Sequence, residues 1–350
     1  EVCVGLYTGP HLHSFRERFV INGAMISHVE FIEGAKAVTD TAAQLAYPYS
    51  TFELTTALAL WWFAREQVTA AVLEVGMGGR WDAVNAVPNV LAVMTPIEKE
   101  HLAMLGGSLQ TIAWHKAGIM QPGGVAVTVG QYEAVEDILR SEAERLRVHL
   151  EIARHLDLSP EAEPVNAALT RLACRNLQAR GLIAAYQAET MPPMLPGRLE
   201  RVRVGDKDVL IDGAHTRQSA GRLRDRIRRV AGEMDAVRVS VGMLGDKAIH
   251  DVLAVFDKPR FHIVLTQAPS HRALSADALQ AQAQLQDAAV EIVPVLADAL
   301  AQVYTAPESF VVVTGSLRMA AAAREAFGLL SAVELEEAQA TRAIFEGALE

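Results

Sequence analysis

AVLEVGMGGRWDAVNAV, residues 71–87, sets an apolar run of strand character directly against three closely spaced glycines and a polar turn. In open parallel sheets, ligands collect outside the carboxyl ends of the strands, so a strand opening into a glycine-rich turn marks a place to look for chemistry. The spacing of Gly76, Gly78 and Gly79 matches neither GxGxxG nor GxxxxGKS/T. A phosphate-cradling loop is therefore a weak reading, and a tight turn or a close backbone approach fits the spacing better. Glu74 stands inside the apolar run. A carboxylate embedded in an apolar strand costs on the order of several kcal/mol unless it is paired, so either a nearby Lys or Arg or a bound cation is expected beside it.

Outward from this stretch, short β-branched runs alternate with longer Ala/Leu/Arg/Glu-rich segments, the pattern of parallel strands joined by crossover helices. The first half offers VCVGLYT, AAVLEVG, VLAVMTP and GVAVTVG as strands. Helices are expected at about 52–67, 107–119 and 132–148. The last of these, YEAVEDILRSEAERLRVHL, reads as a plain surface helix. QAETMPPMLPGRLE, residues 187–200, is rich in proline and is the best linker candidate. Beyond it KDVLIDGAH, VRVSVGML, FHIVLTQ, VEIVPV and SFVVVTGS again alternate with helical stretches. The expected organisation is a parallel-sheet α/β domain over 1–186, a linker over 187–197 and a smaller Rossmann-like α/β domain over 198–350.

The whole chain narrows the classes of function. Its 350 residues are about two domains long, and 51% hydrophobic with 21% charged residues is an ordinary composition for a folded protein with a sizeable core. A net charge of −10 argues against a nucleic-acid backbone as partner. Cys3 and Cys174 cannot make a disulfide framework, and no CxxC or Cys/His cluster points to zinc, which fits a reducing, cytoplasmic setting. No apolar run is long enough for a membrane span. The opening EVCVGLYTGP lacks an initiator Met and reads as a strand entering a turn, so the numbering is expected to start inside a longer gene product.

Several polar residues follow the apolar runs directly. His101 in EKEHL could meet Glu74 at one sheet end, and such a Glu and His make a divalent-metal site plausible beside the alternative of a structural hydrogen bond. Lys116 in IAWHKAGI follows an apolar helical stretch and is expected to be partly buried. Asp212 and His215 in LIDGAHT suit a ribose or metal contact, or an Asx-type cap on the next helix. Arg198 in LPGRLE could reach phosphates, or be a solvated arginine.

Taken together and in order, these segments resemble the folylpolyglutamate synthase/dihydrofolate synthase family, relatives of the Mur peptidoglycan ligases. GLYTGPHLHSFRERFVINGAMIS is similar to the family's YTSPHL region with its ER and NG elements, and STFELTT to its FE segment. LEVGMGGRWDAVN is similar to EVGLGGRLDATN, and IAWHKAGI to IAxEKAGI. LPGRLE, LIDGAHT (for DGAHN), LGDKA (for DKD) and VTGSL complete the series. The chain departs from the pattern at Gly9 for Ser, Trp81 for Leu, Val84 for Thr, Glu100 for Asp, His115 for Glu and Thr216 for Asn. The family's GTNGKGS phosphate loop would precede residue 1.

The resemblance implies a P-loop-type ATPase domain, truncated at its amino end, followed by a Rossmann-like domain. It implies an ATP-dependent amide ligase that adds L-glutamate to dihydropteroate or to folyl-glutamates through an acyl phosphate. Glu74 and His101 are then magnesium ligands, and Lys116, if carbamylated, supplies an oxygen ligand to a second magnesium; these three form the catalytic set. Phe52, Arg80, Asp82 and Ala83 contact the pterin-bearing substrate, and Arg198, Asp212 and His215 contact ATP. ATP and Mg2+ are the implied cofactors, and the implied partners are small molecules, with no nucleic acid, no membrane and a monomeric chain. A non-catalytic folate- or nucleotide-binding paralogue and a Mur-type ligase with another acceptor are the alternatives.

Overall fold

The computed structural model describes residues 2–45, 47–153, 165–184, 195–232 and 236–347. The chain divides into two units, Glu1–Pro10 with Arg16–Pro192, and His11–Phe15 with Pro193–Glu350. Most of the expected linker, 187–194, lies outside the described residues.

In the first unit the strands are β1 (Val4–Tyr7), β2 (Phe19–Ile21), β3 (Ala24–Met25), β4 (Ala70–Leu73), β5 (Ala92–Met94), β6 (Val125–Val129) and β7 (His149–Ala153). The helices are α1 (His28–Gln44), α2 (Thr51–Arg65), α3 (Leu102–Leu105), α4 (Leu109–Ala117), α5 (Glu133–Leu146) and α6 (Val165–Ala179). Helices α1 and α2 each begin with a complete capping box, Ser27 with Glu30 and Ser50 with Glu53, which satisfies N–H groups that the first turn leaves unpaired. Among the described residues the strands form two sheets, β3-β2-β1-β4 and β5-β6-β7. The β1–β4, β5–β6 and β6–β7 pairs are parallel, while β1–β2 and β2–β3 are antiparallel. That antiparallel part was not anticipated from the alternation, although Asn22-Gly23, both at positive φ, is a strong hairpin signal.

Side chains alternate across β6 as the pleat requires. Ala126 joins Ile112 and Ala117 of α4 and Leu139 of α5 in one core, while Val127 and Val129 face Leu169 and Leu172 of α6. Helix α5 is not the plain surface helix expected, because Glu142 is buried on the same stripe as Val135, Leu139 and Ala143.

The second unit holds β8 (Glu200–Val204), β9 (Lys207–Ile211), β10 (Val237–Val241), β11 (Phe261–Leu265), β12 (Ala289–Ile292) and β13 (Phe310–Thr314). Its helices are α7 (Arg217–Ala231), α8 (Ile249–Leu253), α9 (Ala276–Ala283), α10 (Leu296–Ala301), α11 (Leu317–Ala326) and α12 (Ala332–Gly347). The sheet order is β12-β11-β10-β13-β9-β8, parallel except for the β8–β9 hairpin. Val237, Val239 and Val241 pack with α7, α8 and α9 on one face, and Val209, Ile211, Val311 and Val313 pack with α10 and α11 on the other. Covering both faces explains why β13, FVVVT, reads as an apolar run, whereas β10, VRVSV, carries the buried polar residues Arg238 and Ser240 between its valines. Leu12 of the short segment His11–Phe15 packs against the second of these cores. No described helix is long and apolar enough to cross a membrane.

Candidate active site

In the first unit the glycine-rich turn is built by close packing. A Cβ on Gly76 would lie 2.6 Å from the Phe52 ring, one on Gly79 would lie 3.0 Å from the Lys116 carbonyl oxygen, and one on Gly118 would lie 2.2 Å from Arg80 Cβ. Gly79 also has φ +157. The turn 76–80 is thereby seated on the carboxyl end of α4, and the Arg80 N–H donates to the His115 carbonyl at 2.8 Å. Asn85 Nδ2 ties the two segments again, donating to Arg80 O and Gly118 O. Asp82 uses one carboxylate oxygen for the N–H groups of Gly76 and Met77 and the other for that of Val84. Its visible work is to hold the turn.

A cavity of about 540 Å3 opens beside this turn, and Phe52, Asp82 and Ala83 line it together with Trp81, Met104 and His115. Arg80 stands behind the wall. Its guanidinium lies 3.9 Å from the Trp114 ring centroid and donates to Glu142 at 2.6 Å and to the Trp114 carbonyl at 3.1 Å. The hydrogen bond from Arg145, joined by that from Arg80, holds the Glu142 carboxyl below its ordinary range against the opposing effect of burial.

Glu74 departs from the expectation of a buried strand carboxylate. β4 ends at Leu73, and Glu74 is exposed just past it, so no desolvation cost demands an ion pair. Its Oε2 accepts from the Gly9 N–H at 2.8 Å. His101 is exposed and adopts φ 51 and ψ 38, a left-handed conformation that His, like Asn and Asp, enters more often than most residues other than Gly. The Lys116 side chain is half-buried, with no hydrogen-bond or ion-pair partner among the described residues. Among those residues no group of three or more His, Cys, Asp or Glu side chains is arranged to hold a metal ion.

The second unit brings its predicted residues to one sheet end. Antiparallel pairing of β8 and β9 sets Glu200 opposite Ile211, which carries LPGRLE to LIDGAHT. Asp212 is buried, and its two oxygens accept from Leu199 N and Ala214 N, each at 2.8 Å. Burial pushes its carboxyl above the ordinary range, opposed by these N–H groups and by the charge of Arg198, which is itself exposed. His215 Nδ1 lies 2.8 Å from the Gly213 carbonyl, so Nδ1 carries the proton and donates. Thr216, not Asp212, caps α7, in a box with Ser219. Gly315, at φ +104, follows β13, and a Cβ there would lie 2.6 Å from the Gly242 carbonyl oxygen, so the turns after β10 and β13 press together.

The family described as Mur ligase, glutamate ligase domain, matches residues 197–317. The chain is 32% identical to the dihydrofolate synthase/folylpolyglutamate synthase of Mycobacterium tuberculosis over 93% of its own length and 80% of that protein. The chain belongs to the folylpolyglutamate synthase/dihydrofolate synthase family. Its fold agrees with that membership. It superposes on E. coli FolC in complex with DHPP and ADP with a TM-score of 0.81 and 25% identity, covering 94% of this chain and 82% of the other. A bifunctional folylpolyglutamate synthase/dihydrofolate synthase of Yersinia pestis, complexed with AMPPNP and Mn ion, matches at TM-score 0.77 and 25% identity over 93% and 82% of the two chains. Members of this family are ATP-dependent ligases, and the chain carries the family's α/β architecture with parallel sheet regions in both units. Sequence reasoning missed Glu142, whose signal was an acid in step with the apolar stripe of α5, and missed the joint placement of Trp81, Trp114 and His115.

Proposed function

We propose that this protein joins L-glutamate to the carboxylate of a pterin-bearing acceptor, dihydropteroate or a folyl-glutamate, with ATP as the energy source. The acceptor carboxylate attacks the γ-phosphorus of ATP and releases ADP. The glutamate amine then attacks the acyl carbon, an amide bond forms, and phosphate leaves with the former carboxylate oxygen while the amine sheds its proton. The observation that carries this reading is the cavity walled by the turn after β4 with Asp82 and Ala83, by the carboxyl end of α4, and by Phe52 of α2. Arg80 holds that wall through Trp114 and Glu142.

Glu74 and His101 are the proposed magnesium ligands, with Lys116 contributing if carbamylated. The fit rests on Glu74, an exposed strand-end carboxylate with one oxygen engaged by Gly9 and no partner to the other among the described residues. Magnesium commonly binds through one or two protein carboxylates together with phosphates and water, so a complete protein cage is not required. When bound, the ion would neutralise charge developing on the transferred phosphoryl group. Arg198, Asp212 and His215 are the proposed ATP contacts in the domain 198–350, beyond the linker 187–197 and the domain 1–186. The enzyme is proposed to act as a cytoplasmic monomer.

Release of ADP by the full-length protein, with dihydropteroate or a folyl-glutamate, L-glutamate and Mg-ATP, tests the reading. Turnover that depends on both acceptor and glutamate is expected, and no turnover with either acceptor class overturns it. Glu74→Gln is expected to abolish ADP release while leaving the unfolding free energy within about 0.5 kcal/mol of wild type, as for an exposed site.

A further inference from the structure

Trp81 is the most exposed large apolar side chain among the described residues, at 75% of its surface, yet it sits on a built platform. Its ring lies 4.9 Å from His115 and 5.6 Å from Trp114, with interplanar angles of 77° and 73°, both edge-to-face geometries. Trp114 is itself edge-on to His115, and it is covered by the Arg80 guanidinium, which Glu142 anchors. Two partners meeting the indole edge-to-face leave it positioned but largely open to solvent. The same indole lines the 540 Å3 cavity with Phe52 and Met104, the latter 70% exposed. Holding an open indole in a fixed place at a cavity wall forgoes burial that the side chain would otherwise gain, and aromatic faces held this way are suited to stacking on planar rings.

We infer that Trp81 is a specificity-determining residue of this chain, stacking on the fused heterocyclic ring of the acceptor, with His115 and Trp114 as the residues that position it. The inference rests on the proposed reading of the cavity as the acceptor site, and it goes beyond that reading by giving a role to two of the six positions, 81 and 115, at which this chain departs from the family pattern. A leucine at position 81 offers area but no π-face. The chain should therefore depend more strongly on an intact fused ring than a variant with leucine there.

The test uses the full-length protein, pteroate as a binding probe in calorimetric titration, and steady-state turnover with a pterin-bearing acceptor or with p-aminobenzoyl-glutamate, which lacks the fused ring. Trp81→Leu should weaken pteroate binding and raise KM for the pterin-bearing acceptor about ten-fold, within the range of ring-on-aromatic stacking. KM for Mg-ATP, kcat and KM for p-aminobenzoyl-glutamate should change less than about two-fold, and Trp81→Phe should restore most of the lost binding, because a ring is retained. Equal pteroate binding by wild type and Trp81→Leu overturns this inference alone. A wild-type protein that neither binds pteroate nor turns over a pterin acceptor overturns the proposed function, and the inference with it. A fall in kcat with unchanged KM assigns Trp81 to the chemical step and also contradicts a stacking role.

Discussion

Arg80 and Arg238 are both drawn into the protein by carboxylates distant in sequence, yet the two arginines stand at different kinds of place. Arg80 pairs with Glu142, 62 residues away, directly behind the wall of the candidate acceptor cavity. Arg238 pairs with Glu308 and Glu291, 70 and 53 residues away, near the amino ends of the second unit's parallel strands. Gln302 and His262 close that second network, with the His262 ring nitrogens 3.0 Å from Glu308 and 3.3 Å from Glu291. The candidate ATP residues Asp212 and His215 lie past the other, carboxyl, end of a strand of the same sheet. The difference teaches that a buried ion pair does not by itself mark a functional site. One network fixes strands to each other at the foot of a sheet, while the other fixes the orientation of aromatic side chains at a cavity.

The largest expected effect breaks this comparison on its structural side. Arg238→Ala leaves the buried carboxylate of Glu308 without its guanidinium, and a loss of about 3–5 kcal/mol in unfolding free energy is expected from denaturant titration, with KM for every substrate unchanged in the remaining folded protein. Arg80→Ala should cost less, about 1.5–3 kcal/mol, because Arg145 still pairs with Glu142, but it should also raise the acceptor KM. A loss of stability alone at Arg80, without a change in acceptor KM, would make the two networks equivalent.

The glycines sharpen the same contrast. Gly118→Ala places a methyl group into the Arg80 side chain and should cost about 1–3 kcal/mol, read by thermal or chemical unfolding. Gly221, inside α7 with open space around it, should gain about 0.5–1 kcal/mol on the same change. Equal effects at the two positions would show that the turn after β4 is not held by close packing.

Acid provides the smallest and most distributed test. Glu142, Glu308 and Glu325 have carboxyl groups held below their ordinary range, the first chiefly by the Arg145 hydrogen bond and the other two by hydrogen bonds and charges that outweigh burial. A depressed folded pKa gives stability that is present above the unfolded value, about 4.3 for Glu, and is lost as pH falls through the folded value. Asp212 works in the opposite direction, since its raised carboxyl favours the folded state as pH falls. Net destabilisation is expected below about pH 4.5, and Glu142→Gln should flatten part of that fall in unfolding titrations across pH.

Much of the fold was legible because parallel strands buried on both faces leave apolar runs, as Phe310–Thr314 does. The antiparallel edges were not read, although Asn22-Gly23 and the Gly205-Asp206 turn between β8 and β9 carried the signal. The glycines after β4 were legible as close-approach positions, since their spacing fits no phosphate loop. The environment of Glu74 was not, because a sequence shows that a residue adjoins an apolar run but not that the strand stops one residue earlier. Glu142 and the Trp81–Trp114–His115 group depend on segments some 30–60 residues apart meeting in space, and spacing along one helix or loop cannot reveal that.

The central claim is an amide ligation that passes through an acyl phosphate. The most direct measurement supplies an acceptor whose carboxylate oxygens are heavy-isotope labelled, together with ATP and L-glutamate, and follows the released inorganic phosphate by mass spectrometry. One labelled oxygen transferred to phosphate for each amide formed is the predicted result. Amide formation with unlabelled phosphate would contradict the mechanism.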